Sequence, residues 1–457
     1  MSEAKTKDVV VVLPGIAGSV LQRDGEPVWD FSAGGIVKQL RRLRAAGETL
    51  VLDGDDGDPD AHPGGVRATR LMPHAQAIPG LWKIDVYGSL VDRLERRLGL
   101  VRGKDLFEFP YDWRRDNRVS ALQLERAAAG WLERSPGARL VLLCHSMGGL
   151  VARYFVEVLE GWRDTRLLIT FGTPFRGAPK ALVYLVNGLR APAGVVDVSD
   201  AVRTFPSVYQ LLPTYPCLAD ARGELARLSE IDSLPRPLDP ERVRAGGAFH
   251  ADIRAAAARN ARDDDYAGKF RYRPVVGTEQ VTIQAARRAE DGVEAMHLHG
   301  DGDPGGDGTV PAPSATPIEI EGQDLELFVA RAHSGVHTAP EVAVQVESRI
   351  RGIDYGRFRA VSQVALSLDL QDVYTTDEPV VVRARPDAEG RALEAVLAHA
   401  ATGAPQAQGP LRRRDDGWQE FKATGLPEGD YRITVRGHGE GQPVDPVTDV
   451  LLVTAPR

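Results

Sequence analysis

The chain of 457 residues is poor in cysteine, with only Cys144 and Cys217, and it lacks an apolar run long enough to span a membrane. So few cysteines exclude a disulfide-rich secreted scaffold. Cys144 falls at the buried end of an apolar strand, so a disulfide is not expected and a reducing compartment is favoured. The N-terminal run Val9–Leu13 is too short, and too soon broken by Pro14, for a signal peptide. We therefore expect a cytoplasmic protein.

An excess of positive charge is also missing. The chain has 56 Lys and Arg against 64 Asp and Glu, which gives a formal net charge of −8. Binding to nucleic acid would have no electrostatic driving force. The basic cluster at 412–414 is followed at once by Asp415 and Asp416, a pattern typical of a solvated turn. No nucleic-acid partner is expected.

Apolar residues, by contrast, are plentiful, at 43% of the chain against 26% charged. A length about three times that of a typical domain of roughly 150 residues favours two domains. In residues 1–357 short apolar strands alternate with amphipathic helices, which predicts an α/β fold with a mostly parallel sheet. Strands are expected at 8–13, 106–109, 139–144, 166–171, 272–277 and 325–330, and helices at 87–98, 119–134, 147–159 and 341–351. Residues 178–270 interrupt the alternation with short helical pieces, which predicts a lid or cap insertion over the active-site edge.

The pattern changes near residue 358. Strand-like runs follow one another at short spacing, separated by turn sequences, and no helical periodicity remains. They fall at 361–370, 380–384, 393–399, 418–423, 431–436 and 447–453. Residues 358–457 are therefore predicted to form an all-β, immunoglobulin-like sandwich that folds on its own, contributes no catalytic group and docks a protein partner.

Residues 140–150 read LVLLCHSMGGL, an apolar strand that runs through Ser146 into a helical pattern. Strand, serine and helix in this order are typical of a nucleophile elbow, in which a strained turn exposes the hydroxyl above a parallel sheet. Small residues are needed where strand and helix cross, and Gly148 and Gly149 meet that need. The alternative is an ordinary strand-to-helix turn. With its partners considered below, Ser146 is predicted to be a nucleophile.

A serine nucleophile needs a base and a group that orients the base, and in hydrolases with this elbow the chain order is serine, acid, histidine. His333 directly follows a predicted strand, at the edge where the base is needed, and His337 is the alternative. Asp307 is the candidate acid. Asp301 and Asp303 suggest a calcium loop instead, but proline and glycines occupy the places where further oxygen ligands are needed. No metal is expected.

Two backbone N–H groups are needed for an oxyanion hole. Met147, directly after the serine, supplies one, and the loop Pro14–Ser19 after the first strand is expected to supply the other. The glycines of that loop also fit a phosphate-binding loop, but no lysine follows in the required place. No cofactor is expected.

Taken together, these segments resemble the lecithin:cholesterol acyltransferase family of α/β-hydrolases, which includes lysosomal phospholipases and phospholipid:diacylglycerol acyltransferases. The matching motifs are, in family order, PGxxGS at 14–19, PYDWR at 110–114, HSMGG at 145–149, GTPFxG at 172–177 and GDGTVP at 306–311. The resemblance implies an α/β-hydrolase with Ser146 as nucleophile, Asp307 as acid, His333 as base, and Ala17 with Met147 as oxyanion donors. It also implies ester chemistry on lipids.

Two functions from different classes follow. The first is a serine esterase or lipase that acts on phospholipid or other carboxylic esters through an acyl-enzyme, with acyl transfer to an alcohol as the alternative to hydrolysis. The second is a catalytically silent hydrolase scaffold that serves as a binding module. The intact set of serine, acid and histidine favours the enzyme. The expected partners are a lipid or ester substrate, a membrane surface contacted peripherally, and a protein bound through the C-terminal sandwich.

Overall fold

The computed structural model describes residues 7–30, 49–72, 87–189, 197–220, 222–323, 325–353, 364–388, 390–400, 402–439 and 444–456, with the backbone of 76–77 and 83–84. The predicted boundary between 357 and 358 lies outside these residues.

Strands and helices alternate up to residue 353. The strands are β1 (Val9–Leu13), β2 (Ser19–Arg23), β3 (Glu26–Trp29), β4 (Val66–Leu71), β5 (Gln76–Ala77), β6 (Lys83–Ile84), β7 (Leu106–Glu108), β8 (Leu140–His145), β9 (Thr165–Phe171), β10 (Leu218–Ala219), β11 (Leu225–Ala226), β12 (Arg271–Gly277), β13 (Ala285–Ala289), β14 (Gly292–Met296) and β15 (Leu327–Val329). The helices are α1 (Tyr87–Leu98), α2 (Asn117–Glu133), α3 (Met147–Glu157), α4 (Pro179–Asn187), α5 (Ser199–Val202), α6 (Pro206–Tyr209), α7 (Pro240–Asn260), α8 (Asp264–Lys269) and α9 (Pro340–Ile350).

The centre of this region is a six-stranded sheet in the order β15-β12-β9-β8-β1-β7, and all its pairings are parallel. Every residue of β1 and β8 is buried, as expected of strands covered by helices on both faces. The predicted parallel α/β sheet is confirmed, and its six strands are those expected from the sequence. Because β8 pairs with β1 on one side and β9 on the other, the residue that follows it lies at the middle of the sheet.

The segment 178–270 differs from its predicted pattern of short helical pieces, because it contains α7, a helix of 21 residues. Its apolar side chains are buried in the same core cluster as the sheet; they include Leu182, Leu185, Phe205, Val208 and Leu212. This packing is that of core residues. A lid role for the segment stays a prediction.

The C-terminal region is all β in its described residues. Its strands are β16 (Leu366–Asp369), β17 (Val373–Thr375), β18 (Val380–Pro386), β19 (Leu393–His399), β20 (Pro405–Pro410), β21 (Arg412–Arg413), β22 (Gln419–Ala423), β23 (Gly429–Gly437) and β24 (Val447–Thr454). They form two sheets, β16-β18-β22-β21 and β17-β24-β23-β19-β20. Alternate residues of β18 and β19 are buried, and they enter a core cluster separate from that of the parallel sheet.

Candidate active site

Ser146 occupies the turn between β8 and α3 and is strained, with φ 51° and ψ −126°. A non-glycine residue rarely adopts this conformation, so the surrounding structure has to hold it. The Ser146 N–H donates to the Phe171 carbonyl oxygen at 2.9 Å, and the Thr173 hydroxyl donates to the Ser146 carbonyl oxygen at 2.9 Å. The turn therefore has the backbone geometry of the predicted nucleophile elbow.

The side chains of Ser146, His333 and Asp307 lie in one hydrogen-bonded line. The Ser146 Oγ lies 3.0 Å from His333 Nε2, and His333 Nδ1 lies 2.7 Å from Asp307 Oδ2. All three residues are at most 5% exposed. With Nδ1–H donating to the carboxylate, Nε2 is left to accept from the serine hydroxyl. The arrangement can remove a proton from Ser146 and hold the resulting imidazolium against a carboxylate.

Asp307 is held from several directions. Its Oδ1 accepts from the backbone N–H groups of Thr309 at 2.9 Å and Val310 at 2.7 Å, which leaves Oδ2 for the imidazole. Glycines provide the space around it: a Cβ on Gly277 would lie 2.5 Å from Asp307 Cβ, and one on Gly172 would lie 2.7 Å from Asp307 Oδ2. The histidine and the carboxylate can meet only because these two positions carry no side chain.

His337, the alternative base of the sequence analysis, lies elsewhere in the same cluster. Its ring stacks on Tyr87, with centroids 5.3 Å apart, and lies at 4.8 Å from the ring of His145. Ser146 Oγ forms its hydrogen bond with His333 instead. Of the two candidates, the structure brings His333 to the serine.

The loop Pro14–Ser19 lies against the elbow. A Cβ on Gly15 would lie 2.9 Å from Ser146 Cβ, and Ala17 has φ 60°, a left-handed conformation. The PYDWR motif holds this loop: the Tyr111 hydroxyl donates to the Pro14 carbonyl oxygen at 2.9 Å, and Trp113 Nε1 donates to the Ser19 carbonyl oxygen at 3.1 Å. Both predicted oxyanion residues, Ala17 and Met147, therefore lie in segments that contact each other at Ser146.

Two residues that the sequence analysis missed connect this loop to His333. The Gly15 N–H donates to Tyr87 Oη at 2.8 Å, Tyr87 Oη lies 2.8 Å from His145 Nδ1, and His145 Nε2 lies 3.1 Å from the His333 carbonyl oxygen. Burial, with His337 and His333 nearby, lowers the pKa of His145 well below its ordinary value, so its ring is neutral. His145 adjoins the serine in the motif, but no local pattern connects it with Tyr87.

The alternative calcium loop is exposed, and its Asp303 carboxylate accepts two hydrogen bonds from the protein. Asp303 Oδ1 accepts from the Gly305 N–H at 2.8 Å and from Gln284 Nε2 at 3.2 Å. Across the described residues, no group of three His, Cys, Asp or Glu side chains is arranged to hold a metal ion. Nor is any described helix both long enough and apolar enough to cross a membrane.

A parallel sheet that carries a strained serine at a strand–helix turn, followed in the chain by an acid and a histidine, is the arrangement of an α/β-hydrolase. Residues 61–225 match the family model described as lecithin:cholesterol acyltransferase. Over this segment, the chain is similar to that family.

Relatives of known description match shorter stretches. The human lysosomal phospholipase A and acyltransferase is 33% identical over 124 residues, which are 25% of this chain and 30% of the relative. The Arabidopsis thaliana phospholipase A(1) LCAT3 is 33% identical over 133 residues, which are 25% of this chain and 28% of the relative. The chain thus spans less than a third of the length of either protein. The crystal structure of the Bacillus licheniformis lipase BlEst2 in propeptide form is 10% identical with a TM-score of 0.33, covering 97% of this chain and 93% of that one.

Proposed function

We propose that the chain is a serine hydrolase that cleaves carboxylic esters of lipids through an acyl-enzyme. The observation that carries the proposal is the line of hydrogen bonds from Ser146 Oγ to His333 Nε2, at 3.0 Å, and from His333 Nδ1 to Asp307 Oδ2, at 2.7 Å. In this role Ser146 is the nucleophile, His333 the general base and acid, and Asp307 the group that orients the imidazole.

In the first half-reaction Ser146 Oγ attacks the ester carbonyl carbon while its proton passes to His333 Nε2. Asp307 stabilises the imidazolium without taking its proton. The tetrahedral intermediate collapses when the ester C–O bond breaks, and His333 returns the proton to the departing alkoxide. Water then attacks the acyl-Ser146 by the same steps, releases the carboxylic acid and regenerates the serine hydroxyl.

The oxyanion of each intermediate needs two donors aimed at one point. We assign these to the backbone N–H groups of Met147 and Ala17. The position of Met147 as the first residue of α3 supports this, because the N-terminus of a helix favours negative charge. The contact between the Gly15 segment and Ser146 supports a donor from the neighbouring loop.

Phospholipids are the proposed ester class, and the support comes from the relatives, whose names state phospholipase A activity. The human relative is also named an acyltransferase, so an alcohol is the proposed second acceptor beside water. A silent binding scaffold is the competing reading, and it is separated from the enzyme by the reactivity of Ser146.

A fluorophosphonate probe and a set of p-nitrophenyl esters and phospholipids, with and without an alcohol, test the proposal. The wild type should react with the probe and hydrolyse the esters. Ser146→Ala should lower the rates of both reactions by about a thousandfold or more. Ser135→Ala is the matched control, because Ser135 lies beyond α2 and is only part-buried. A wild type that neither reacts with the probe nor hydrolyses any ester would favour the catalytically silent binding scaffold.

We further propose that residues 358–457 form an immunoglobulin-like sandwich. Two sheets around one core support this, as does the Tyr431 hydroxyl, which donates to the Pro427 carbonyl oxygen at 2.7 Å. A tyrosine that bonds back to the backbone a few residues upstream is a feature of such sandwiches. The cytoplasmic location stays a prediction, which fractionation of cells that express the tagged chain tests.

A further inference from the structure

Gln280 joins the loop that carries Asp307 to the C-terminal region. The Gln280 N–H donates to the carbonyl oxygen of Gly306, next to Asp307, at 3.0 Å. Its side-chain Nε2 donates to the Leu366 carbonyl oxygen at 2.9 Å, and its Oε1 accepts from the Leu368 N–H at 3.2 Å. Both partners lie in β16, an edge strand whose backbone groups are open to such pairing. Gln280 thus bonds to the acid loop through its backbone and to the β-region through its side chain.

A second contact reaches the turn that carries His333. Ser334 is 3% exposed, and its Oγ donates to Asp449 Oδ1, in β24, at 3.3 Å. Asp449 Oδ1 also accepts from the Val450 N–H at 2.9 Å, which fixes the carboxylate on its strand. A Cβ on Gly335 would lie 3.6 Å from the Thr448 carbonyl oxygen, so β24 lies close to this turn.

The two contacts flank a cavity of about 220 Å³ between the two regions. Asp307 and His333 line it from the α/β side, and Leu368, Asp369 and Asp449 line it from the β side. The C-terminal region therefore lies directly behind the acid and the histidine, whereas Ser146 does not line this cavity.

The need for such support follows from the sheet. Ser146 follows β8, in the middle of the six strands, and is enclosed by the core. His333 follows β15, an edge strand of three residues, and Asp307 lies in the segment between β14 and β15. Loops at the edge of a sheet are less constrained than its centre, and a misplacement of about 1 Å can cost about a hundredfold in rate.

We propose that the C-terminal β-region positions the acid and the histidine. β16 fixes the Asp307 loop through Gln280, and β24 fixes the His333 turn through the pair Ser334–Asp449. This rests on the proposed function, because the positioned groups are those assigned to catalysis. Gln280, Ser334 and Asp449 are positioning residues that touch no reacting atom. From the sequence, this region is expected only to dock a protein partner; the proposal adds a role in positioning the site.

The test uses the full chain with Gln280→Ala and Asp449→Ala, each beside a change of the same residue type at an exposed position of the C-terminal region. Gln408→Ala in β20 and Asp415→Ala in the turn after β21 are the controls. We measure kcat and KM on a p-nitrophenyl ester, the rate of fluorophosphonate labelling, the fraction of active sites by burst titration, and Tm.

Both site variants should lose about tenfold to a hundredfold in kcat per active site and in labelling rate, with KM within about twofold of wild type. The controls should match wild type. Asp449→Asn should recover most of the loss, because its amide oxygen still accepts from Ser334.

If Gln280→Ala does not fold, Asp449→Ala decides alone, since it removes only one carboxylate, which accepts from the Ser334 hydroxyl and the Val450 N–H. Folded variants with wild-type kcat and labelling overturn the positioning role and leave the proposed function intact. A wild type that is as inert as Ser146→Ala overturns both.

Discussion

At the scale of single residues, the hydrogen bonds from Gly15 through Tyr87 and His145 to His333 have one possible direction. His145 Nε2 faces a carbonyl oxygen, so it carries the proton, and the neutral ring then accepts at Nδ1 from the Tyr87 hydroxyl. The Tyr87 oxygen in turn accepts from the Gly15 N–H. The relay fixes the distance between the proposed oxyanion loop and the backbone of the proposed base.

Tyr87→Phe should therefore impair the site as well as the fold. It removes the phenol acceptor of the Gly15 N–H and the donor to His145, at a cost of about 1–3 kcal/mol in the free energy of unfolding. We expect kcat to fall by about tenfold with little change in KM. Tyr431→Phe is the control: it also loses a tyrosine hydrogen bond, the part-buried one of 2.7 Å to the Pro427 carbonyl oxygen, but in the C-terminal region. Equal kcat in the two variants would contradict a role for the relay.

The two histidines of one turn make a second prediction at this scale. His333→Ala should lower ester hydrolysis by about a thousandfold or more, because it deletes the proposed base. His337→Gln should cost less than about tenfold, because that ring packs on Tyr87 and His145 rather than on Ser146. Steady-state rates of hydrolysis of one ester by the two variants decide which histidine is the base. A larger loss of rate in His337→Gln than in His333→Ala would reverse the assignment.

The sequence favours His333, which directly follows the predicted strand, but His337 stays an alternative because it follows the same strand. In the structure, the 3-10 turn His333–Gly335 places His333 beside Ser146. The His333 N–H, which donates to the Asp307 carbonyl oxygen at 2.7 Å, holds it there. Ser146 and Asp307 could be predicted because each lies in a motif with its own local pattern, and His333 because it directly follows a predicted strand. Tyr87 and Gln280 could not, because their partners are far away in the chain.

At the scale of elements, the crossing of α3 with the neighbouring loops depends on two glycines. A Cβ on Gly148 would overlap the carbonyl oxygen of Pro14, and one on Gly149 would overlap the Thr173 hydroxyl. Gly148→Ala should lower the free energy of unfolding by more than about 1 kcal/mol, although alanine favours a helix.

The matched control is Gly247→Ala in α7, where an added Cβ meets nothing within 4 Å. There the same change should stabilise by about 0.5–1 kcal/mol. Urea unfolding measures both, and a stabilised Gly148→Ala would mean that α3 and the Pro14 loop do not pack as described.

A buried histidine of α7 makes the stability of the fold depend on pH. His250 donates from Nε2 to the Gln210 carbonyl oxygen at 2.7 Å, and burial lowers its pKa from 6.5 to about 4. The unfolded chain therefore binds this proton first as the pH falls. The stability that depends on the neutral ring is complete above about pH 6.5 and is lost between there and about pH 4.

His250→Gln tests this, because its amide can still donate to Gln210 but does not titrate. Between pH 7.5 and 4.5 the wild type should lose about 2 kcal/mol more than this variant in the free energy of unfolding. His438→Gln, at an exposed position, should follow the wild type. Parallel pH profiles for all three proteins would exclude His250 as the titrating group.

The central strands of the parallel sheet were predicted from apolar runs that are buried on both faces. Examples are β1, which reads VVVVL, and β8, which reads LVLLCH. The strand β13 reads AARRA, and β21 has only two exposed arginines, so neither carries a strand signal. The length of α7 was missed because polar residues and alanines surround its short apolar stripe.

At the scale of the whole molecule, the described residues contain two separate large cores. One surrounds the parallel sheet, and the other lies between the two C-terminal sheets. The side-chain hydrogen bonds described between these regions are at Gln280 and Ser334, and β23 and β24 also lie against β5 and β6. The motifs predicted the first region's chemistry from local sequence, whereas its support by the second depends on pairings such as Gln280 with Leu368, which no local pattern indicates.

Separate cores predict separate unfolding. Scanning calorimetry of the full chain should show two transitions, because each region buries an apolar core of its own. Matched truncations assign them: Leu142→Ala in β8 and Leu397→Ala in β19 each remove a fully buried leucine, from different cores. Each loss of about 2–5 kcal/mol should lower one Tm and leave the other in place. The shift should be larger for Leu397→Ala, since a small domain has the smaller unfolding entropy. One transition that both variants lower would mean that the two regions unfold as a unit.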